Sequence, residues 1–210
     1  MHAVATDTQI SPALTALFDE NVTRDRLMRA MGESLMEKGY AKTVVADVVK
    51  RARVSRRTFY EEFSDRGECL LAMCDRSTEV ARGVIAVAAN PDLPWEEQVE
   101  NAVSAYFEFL TLEPRLTHAM LFEVYALGER GLASHREVSH AFTEQVLELA
   151  ARSRAAGAEI REVSYATAAA LVGAIYQLLQ LMSDEPQRIT VEEARRAAID
   201  LVLDSARPLT

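Results

Sequence analysis

Apolar residues recur every three or four positions along most of the chain, and no stretch shows the two-residue alternation of a strand. This rhythm predicts an all-α protein of about nine helices with no internal repeat. The first helix should start after Thr23 and run to about Lys38, with Leu27, Met31, Leu35 and Met36 facing inward and Gly39 as its stop. Thr43 is the expected cap of a short second helix carrying Val45, Val48, Val49 and Ala52. Arg53-Val54-Ser55 leaves room only for a turn, after which Ser55 caps a third helix whose Phe59 and Phe63 face one core. Asp65 and Glu68 have the spacing of a capping box for a long fourth helix through Leu70, Met73, Val80, Val84 and Val87, broken by Asn90-Pro91-Asp92-Leu93-Pro94. The fifth helix should span about 94–112, and the sixth about 115–127. Gly128 and Gly131 should then open a loop before a more polar helix over about 134–156. An uncharged eighth helix within 161–184 and a ninth over 191–206 complete the chain. Residues 1–22 read as a flexible extension in which SPALTALF forms at most a turn or two.

Polar residues single out the third helix. Arg56, Arg57, Thr58 and Tyr60 crowd its first turn and a half, on the side away from the two phenylalanines. Cationic and hydrogen-bonding side chains at the start of the second helix of a helical pair suit a reader of the DNA major groove. Thr43, Val48, Ala52, Val54-Ser55, Thr58-Phe59-Tyr60, Phe63 and Arg66 also stand where TetR-type transcriptional regulators carry their signature, so the chain resembles that family over about residues 23–70. Two positions depart from it: Arg53 replaces a turn glycine, and Arg66 replaces a lysine and keeps its charge. Arg53 should therefore sit in a left-handed conformation, at a cost of roughly 1 kcal/mol. The resemblance implies a three-helix DNA-binding domain over 23–68 and a larger domain over 69–210 that holds a small-molecule effector and pairs with a second subunit through its last two helices. The expected DNA contacts are Lys42, Thr43, Arg53, Ser55, Arg56, Arg57, Thr58, Tyr60 and Arg66, with Arg57 and Thr58 at base edges and Thr43, Tyr60 and Arg66 on phosphates.

Charge changes the picture in the same direction. The 210-residue chain has a formal net charge of −9. Between Arg24 and Arg66, however, it carries 11 basic and 7 acidic residues, leaving 12 basic and 25 acidic elsewhere. Such a chain can present only one end to a polyanion. The extension before Thr23 has no Lys or Arg, so it lacks the charge of a minor-groove arm. Only two cysteines occur, five residues apart and ill placed to bridge, which fits a reducing cytoplasm. The uncharged stretch from Tyr165 to Ser183 has the length of a membrane span, but Thr167, Gly173, Gln177 and Gln180 interrupt it. A helix apolar nearly all round must instead be covered on every side, and a second copy would cover it.

For an effector site, Trp95, Tyr106, Phe109, Met120, Phe122 and Tyr125 offer broad apolar surface, with His118, Glu123, His140 and Gln177 as polar contacts. Glu123 stands apart as an acid inside Met-Leu-Phe-Glu-Val-Tyr. His135 and His140 do not share a helix face, and no metal cluster, nucleophile elbow, P-loop or dinucleotide motif occurs, so neither enzymatic activity nor a cofactor is expected. The expectation is a cytoplasmic, homodimeric regulator that binds a palindromic operator in double-stranded DNA and is released from it by a small molecule. The alternative is a DNA-binding dimer without an effector.

Overall fold

The computed structural model describes residues 17–208; most of the expected SPALTALF turn and the rest of the extension lie outside them. Among the described residues there are nine α-helices and no strand: α1 Thr23–Lys42, α2 Val45–Ala52, α3 Arg56–Glu62, α4 Arg66–Ala88, α5 Trp95–Thr111, α6 Pro114–Leu121, α7 Glu129–Ala155, α8 Tyr165–Asp184 and α9 Val191–Ala206. A 3-10 helix, Glu123–Leu127, follows α6. The chain divides into two units. One holds the residues up to Arg76 together with Arg115–Val124, and the other holds Ser77–Pro114 and the chain from Tyr125 onward.

In the first unit the inward stripes of α1, α2, α3 and early α4 make one core. Leu27, Met31, Val48, Phe59, Phe63, Cys69, Leu70 and Met73 are all fully buried. Each large apolar side chain so placed contributes roughly 1.5–3 kcal/mol against exposure. The Phe59 and Phe63 rings meet at 5.8 Å, as their four-residue spacing requires. The helix is broken at Gly39 as expected (φ 74°, ψ 168°), and beyond this kink a last turn of α1 carries on to Lys42.

The cap of α2 passes to Val44, because the Thr43 hydroxyl donates instead to the Gly39 carbonyl at 2.8 Å. The Val44 amide is received by Asp47 at 2.9 Å. A 2.7 Å contact from Lys38 and this amide hold the Asp47 carboxyl below its usual pKa. Asp65 accepts the Glu68 amide as expected, and the Glu68 carboxylate accepts from the amide and hydroxyl of Ser64.

In the second unit α8 packs on α7 and α9, and α9 also on α5. Ala168, Ala194 and Ala198 are fully buried, and their small side chains let the helices come close. Polar ties cross this interior. The Ser153 hydroxyl donates to Gln98 at 2.8 Å, and Gln145 donates to the Arg82 carbonyl at 2.7 Å. Two sequence expectations are corrected here. Residues 123–127 tighten into a 3-10 turn instead of continuing α6. Gly128 takes positive φ (60°) and starts α7 at Glu129, so Gly131 lies inside the helix and not in a loop. Thr190 and Glu193 close a capping box on α9.

Candidate nucleic-acid interface

α3 is positioned by the turn before it and the core beneath it. Arg53 ends α2 with φ 54° and ψ 46°, the left-handed conformation expected of the turn position. Ser55 then caps α3 by accepting the Thr58 amide at 3.0 Å. With Phe59 buried beneath, Arg56, Arg57 and Tyr60 are left exposed on the outer side of the helix, and Thr58 is half-buried beside Ser55. The Tyr60 ring stands edge-on to Phe59 at 5.4 Å, which fixes the direction of its hydroxyl.

The ion pairs sort the charges of this unit. Arg24 lies over the Phe63 ring and bonds the Glu62 carbonyl, Arg51 meets Glu33 and Glu37, and Arg29 meets Glu20 and Glu33. Acidic side chains are thus taken up on the scaffold helices. Among the described residues Lys42, Arg53 and Arg56 have no ion-pair partner, while Arg57 holds only the exposed Glu61 at 2.9 Å. An exposed pair of this kind is worth little and opens easily. Lys50 on α2 and Arg26 on α1 also lack an ion pair among the described residues, but Arg53 and Arg56 are exposed beside the start of α3, where a polyanion would be met.

Two of the expected phosphate contacts face inward instead. Thr43 is fully buried on the Gly39 carbonyl. Arg66 donates to the carbonyls of Tyr40 and Thr43 and lies 4.2 Å from the Tyr40 ring centroid. A guanidinium has enough donors to fork between two carbonyls, which the ammonium of a lysine does less well.

The expected effector residues do not gather in one unit. His118, Met120, Phe122 and Glu123 belong to the first, where the His118 and Phe122 rings meet at 5.2 Å and Glu123 accepts the Tyr40 amide. Trp95, Tyr106, Phe109, Tyr125, His140 and Gln177 belong to the second. Gln177 and His140 are exposed there, with His140 Nδ1 2.6 Å from the Tyr165 hydroxyl. Trp95 lines a groove of about 100 Å³ beside Ile160, Leu203 and Pro208.

Tyr125 has a better-defined neighbourhood. Its hydroxyl meets that of Tyr176 at 3.1 Å, and the His135 ring lies 5.5 Å from Tyr125 and 4.8 Å from Tyr176. Burial pushes the Tyr176 and Tyr106 phenols up and the His135 imidazole down in pKa. Tyr176 and His135 are not among the residues that the sequence points to for an effector site. A clue lay in Tyr176 standing next to Gln177, as a polar break in an otherwise apolar helix.

Residues 27–73 match the family described as bacterial regulatory proteins, tetR family. The chain carries a TetR-family DNA-binding domain. It is also 25% identical over 130 residues to the HTH-type transcriptional activator FasR of Mycolicibacterium smegmatis, a match covering 61% of this chain and 59% of that protein. Among solved structures, the fatty acid degradation regulator FadR of Bacillus halodurans superimposes with a TM-score of 0.73 at 17% identity, over 86% of this chain and 94% of that one. SmeT, the repressor of the Stenotrophomonas maltophilia efflux pump SmeDEF, gives 0.70 at 18% identity, over 89% and 91%. These structures show that the TetR-like fold extends beyond the domain itself. Within the TetR-family domain, Arg53 and Arg66 are where this chain has its own character. One is an exposed cation on a left-handed turn, and the other is a guanidinium built into the wall of Tyr40.

Proposed function

We propose that the chain is a sequence-specific DNA-binding transcriptional regulator that acts as a homodimer and represses until a small molecule releases it. The observation that carries the DNA reading is α3: buried Phe59 and Phe63 anchor it, and Arg56, Arg57 and Tyr60 stand exposed on it. In this reading Arg57 and Thr58 reach base edges, and Lys42, Arg53, Ser55, Arg56 and Tyr60 hold the backbone. The cytoplasm is the compartment where such a protein meets DNA.

Pairing through α8 and α9 is supported by the surface they leave open. Ala169, Ala170 and Gly173 are exposed on α8, which carries no charge from Tyr165 to Ser183, and Leu201 is exposed on α9. Two copies related by a two-fold axis would present two α3 helices to a palindrome whose half-sites are one helical turn apart or a multiple of it. Release by an effector is supported by the cluster of Tyr125, His135 and Tyr176, whose two phenols and imidazole offer hydrogen bonds in a half-buried, largely aromatic setting. Of the similar structures, FadR is a fatty acid degradation regulator and SmeT is the repressor of a multidrug efflux pump. Apolar metabolites and drugs are therefore the pools to try first.

The test is selection of bound sequences from random DNA by the purified protein, followed by competition with those pools. Recovery of a palindrome and its release by one compound supports the reading in full. An effector must also bind operator-bound protein more weakly, by the same factor by which it weakens DNA binding.

A further inference from the structure

Two contacts in the first unit reach α1 from residues far along the chain. Glu123, 83 positions after Tyr40, accepts the Tyr40 backbone amide. Arg115, 79 positions after Met36, donates to the Met36 carbonyl at 3.1 Å. Between these two points α1 kinks at Gly39. The kink frees backbone groups that an unbroken helix would have paired, carbonyls before it and amides after it. A cation on the carbonyl side and an anion on the amide side are the charges such a break favours. The site is also tight, since a Cβ on Gly39 would lie 3.3 Å from each Glu123 carboxylate oxygen. The far side of the same turn is held by Arg66 on the Tyr40 and Thr43 carbonyls and by the buried Thr43 hydroxyl on Gly39. Residues 36–43 lead directly into α2, and α2 and α3 are joined by the short turn at Arg53.

We propose that Arg115 and Glu123 clamp the kink of α1, and that Glu123 is a positioning residue for DNA recognition. It sets the angle at which the helix-turn-helix leaves α1 without touching DNA. The proposal rests on the DNA-binding reading above. Base contacts need α3 at a fixed depth and angle, whereas contacts to phosphate tolerate more displacement. Loss of the clamp should therefore lower specific binding more than non-specific binding.

The experiment compares the full-length wild type with Glu123→Ala, Glu123→Gln and Arg115→Met. One arm follows hydrogen exchange of the Tyr40 amide in the absence of DNA. The other measures affinity for the wild-type-selected sequence and for a scrambled duplex across salt concentrations. Glu123→Ala should speed exchange at Tyr40 about tenfold or more, because a charged acceptor is lost. It should reduce the ratio of specific to non-specific affinity about tenfold and leave the salt slope unchanged, because no phosphate contact is removed. Glu123→Gln, which keeps an acceptor oxygen, should recover most of both losses, and Arg115→Met should show the same pattern more weakly. Unchanged exchange with Glu123→Ala overturns the clamp. Equal loss of specific and scrambled binding, or no recovery with Gln, overturns the positioning role. If the wild type selects no sequence, the DNA reading fails and with it the positioning role, while the exchange arm still decides the clamp.

Discussion

Phe59, Phe63, Leu27 and Met31 around α3 are buried almost to the last atom, yet α8, whose composition is more apolar, buries only Ala168, Leu171 and Leu179. Only 17% of the 18-residue window that marks α8 as long and apolar enough to cross a membrane is buried. The first unit satisfies its apolar surface from within, because α1, α2, α3 and the start of α4 converge on two phenylalanines. α8 packs on α7 and α9 and still exposes Ala169, Ala170 and Gly173. Apolar composition alone thus does not say where a helix belongs. What matters is whether the rest of the chain supplies a second layer. In our reading that layer for α8 is a second copy, and the two regions should respond differently to damage.

The largest effect should come from Phe59→Ala, which empties a filled core and is expected to cost about 3–5 kcal/mol in thermal or urea unfolding. A mild loss there would mean the first core is less closed than its burial indicates. Leu178→Asp in α8 should instead lower the association state in sedimentation and weaken operator binding about a hundredfold or more, because each half-site is then bound singly. Its helical content should be retained. If that variant stayed dimeric, the pairing surface would have to lie elsewhere.

Arg57→Ala should cost about 1–3 kcal/mol on the preferred operator and relax the preference at one base position. A selection profile unchanged in shape would place Arg57 on the backbone. Arg53→Gly relieves a left-handed arginine and should stabilise the fold by up to about 1 kcal/mol, while weakening DNA binding at low salt through the lost cation.

The smallest effect concerns pH. The Ser64 hydroxyl and amide hold the Glu68 carboxyl below the ordinary value for a glutamate. A depressed folded pKa means that the stabilisation is present above the unfolded value and is lost as pH falls through the folded one. Acid unfolding of Ser64→Ala should therefore depend less steeply on pH below about 4.5 than that of the wild type.

Much of the first unit could be read from the sequence, because its determinants are local. The spacing of Phe59 and Phe63, the Ser55 cap and the left-handed position of Arg53 each involve residues a few places apart. What escaped was long-range or depended on a choice between partners. Arg66 was expected on a phosphate, but Tyr40 and two carbonyls lay closer, and nothing near Arg66 in sequence announces them. Glu123 was marked as unusual only for its apolar neighbours, and the Tyr40 amide that explains it lies 83 residues away. In the second unit the helices themselves could be read, whereas the expected effector residues are spread over both units because periodicity gives a residue's face but not its neighbours.

The central claim is that α3 is read twice, by two copies joined along α8 and α9. The most direct measurement is the stoichiometry of the complex with a single selected operator, obtained by analytical ultracentrifugation beside the same operator with one half-site scrambled. The account predicts two chains on the intact site and a steep loss of affinity when one half is scrambled. One chain per operator, with the scrambled site bound as tightly as the intact one, would contradict it.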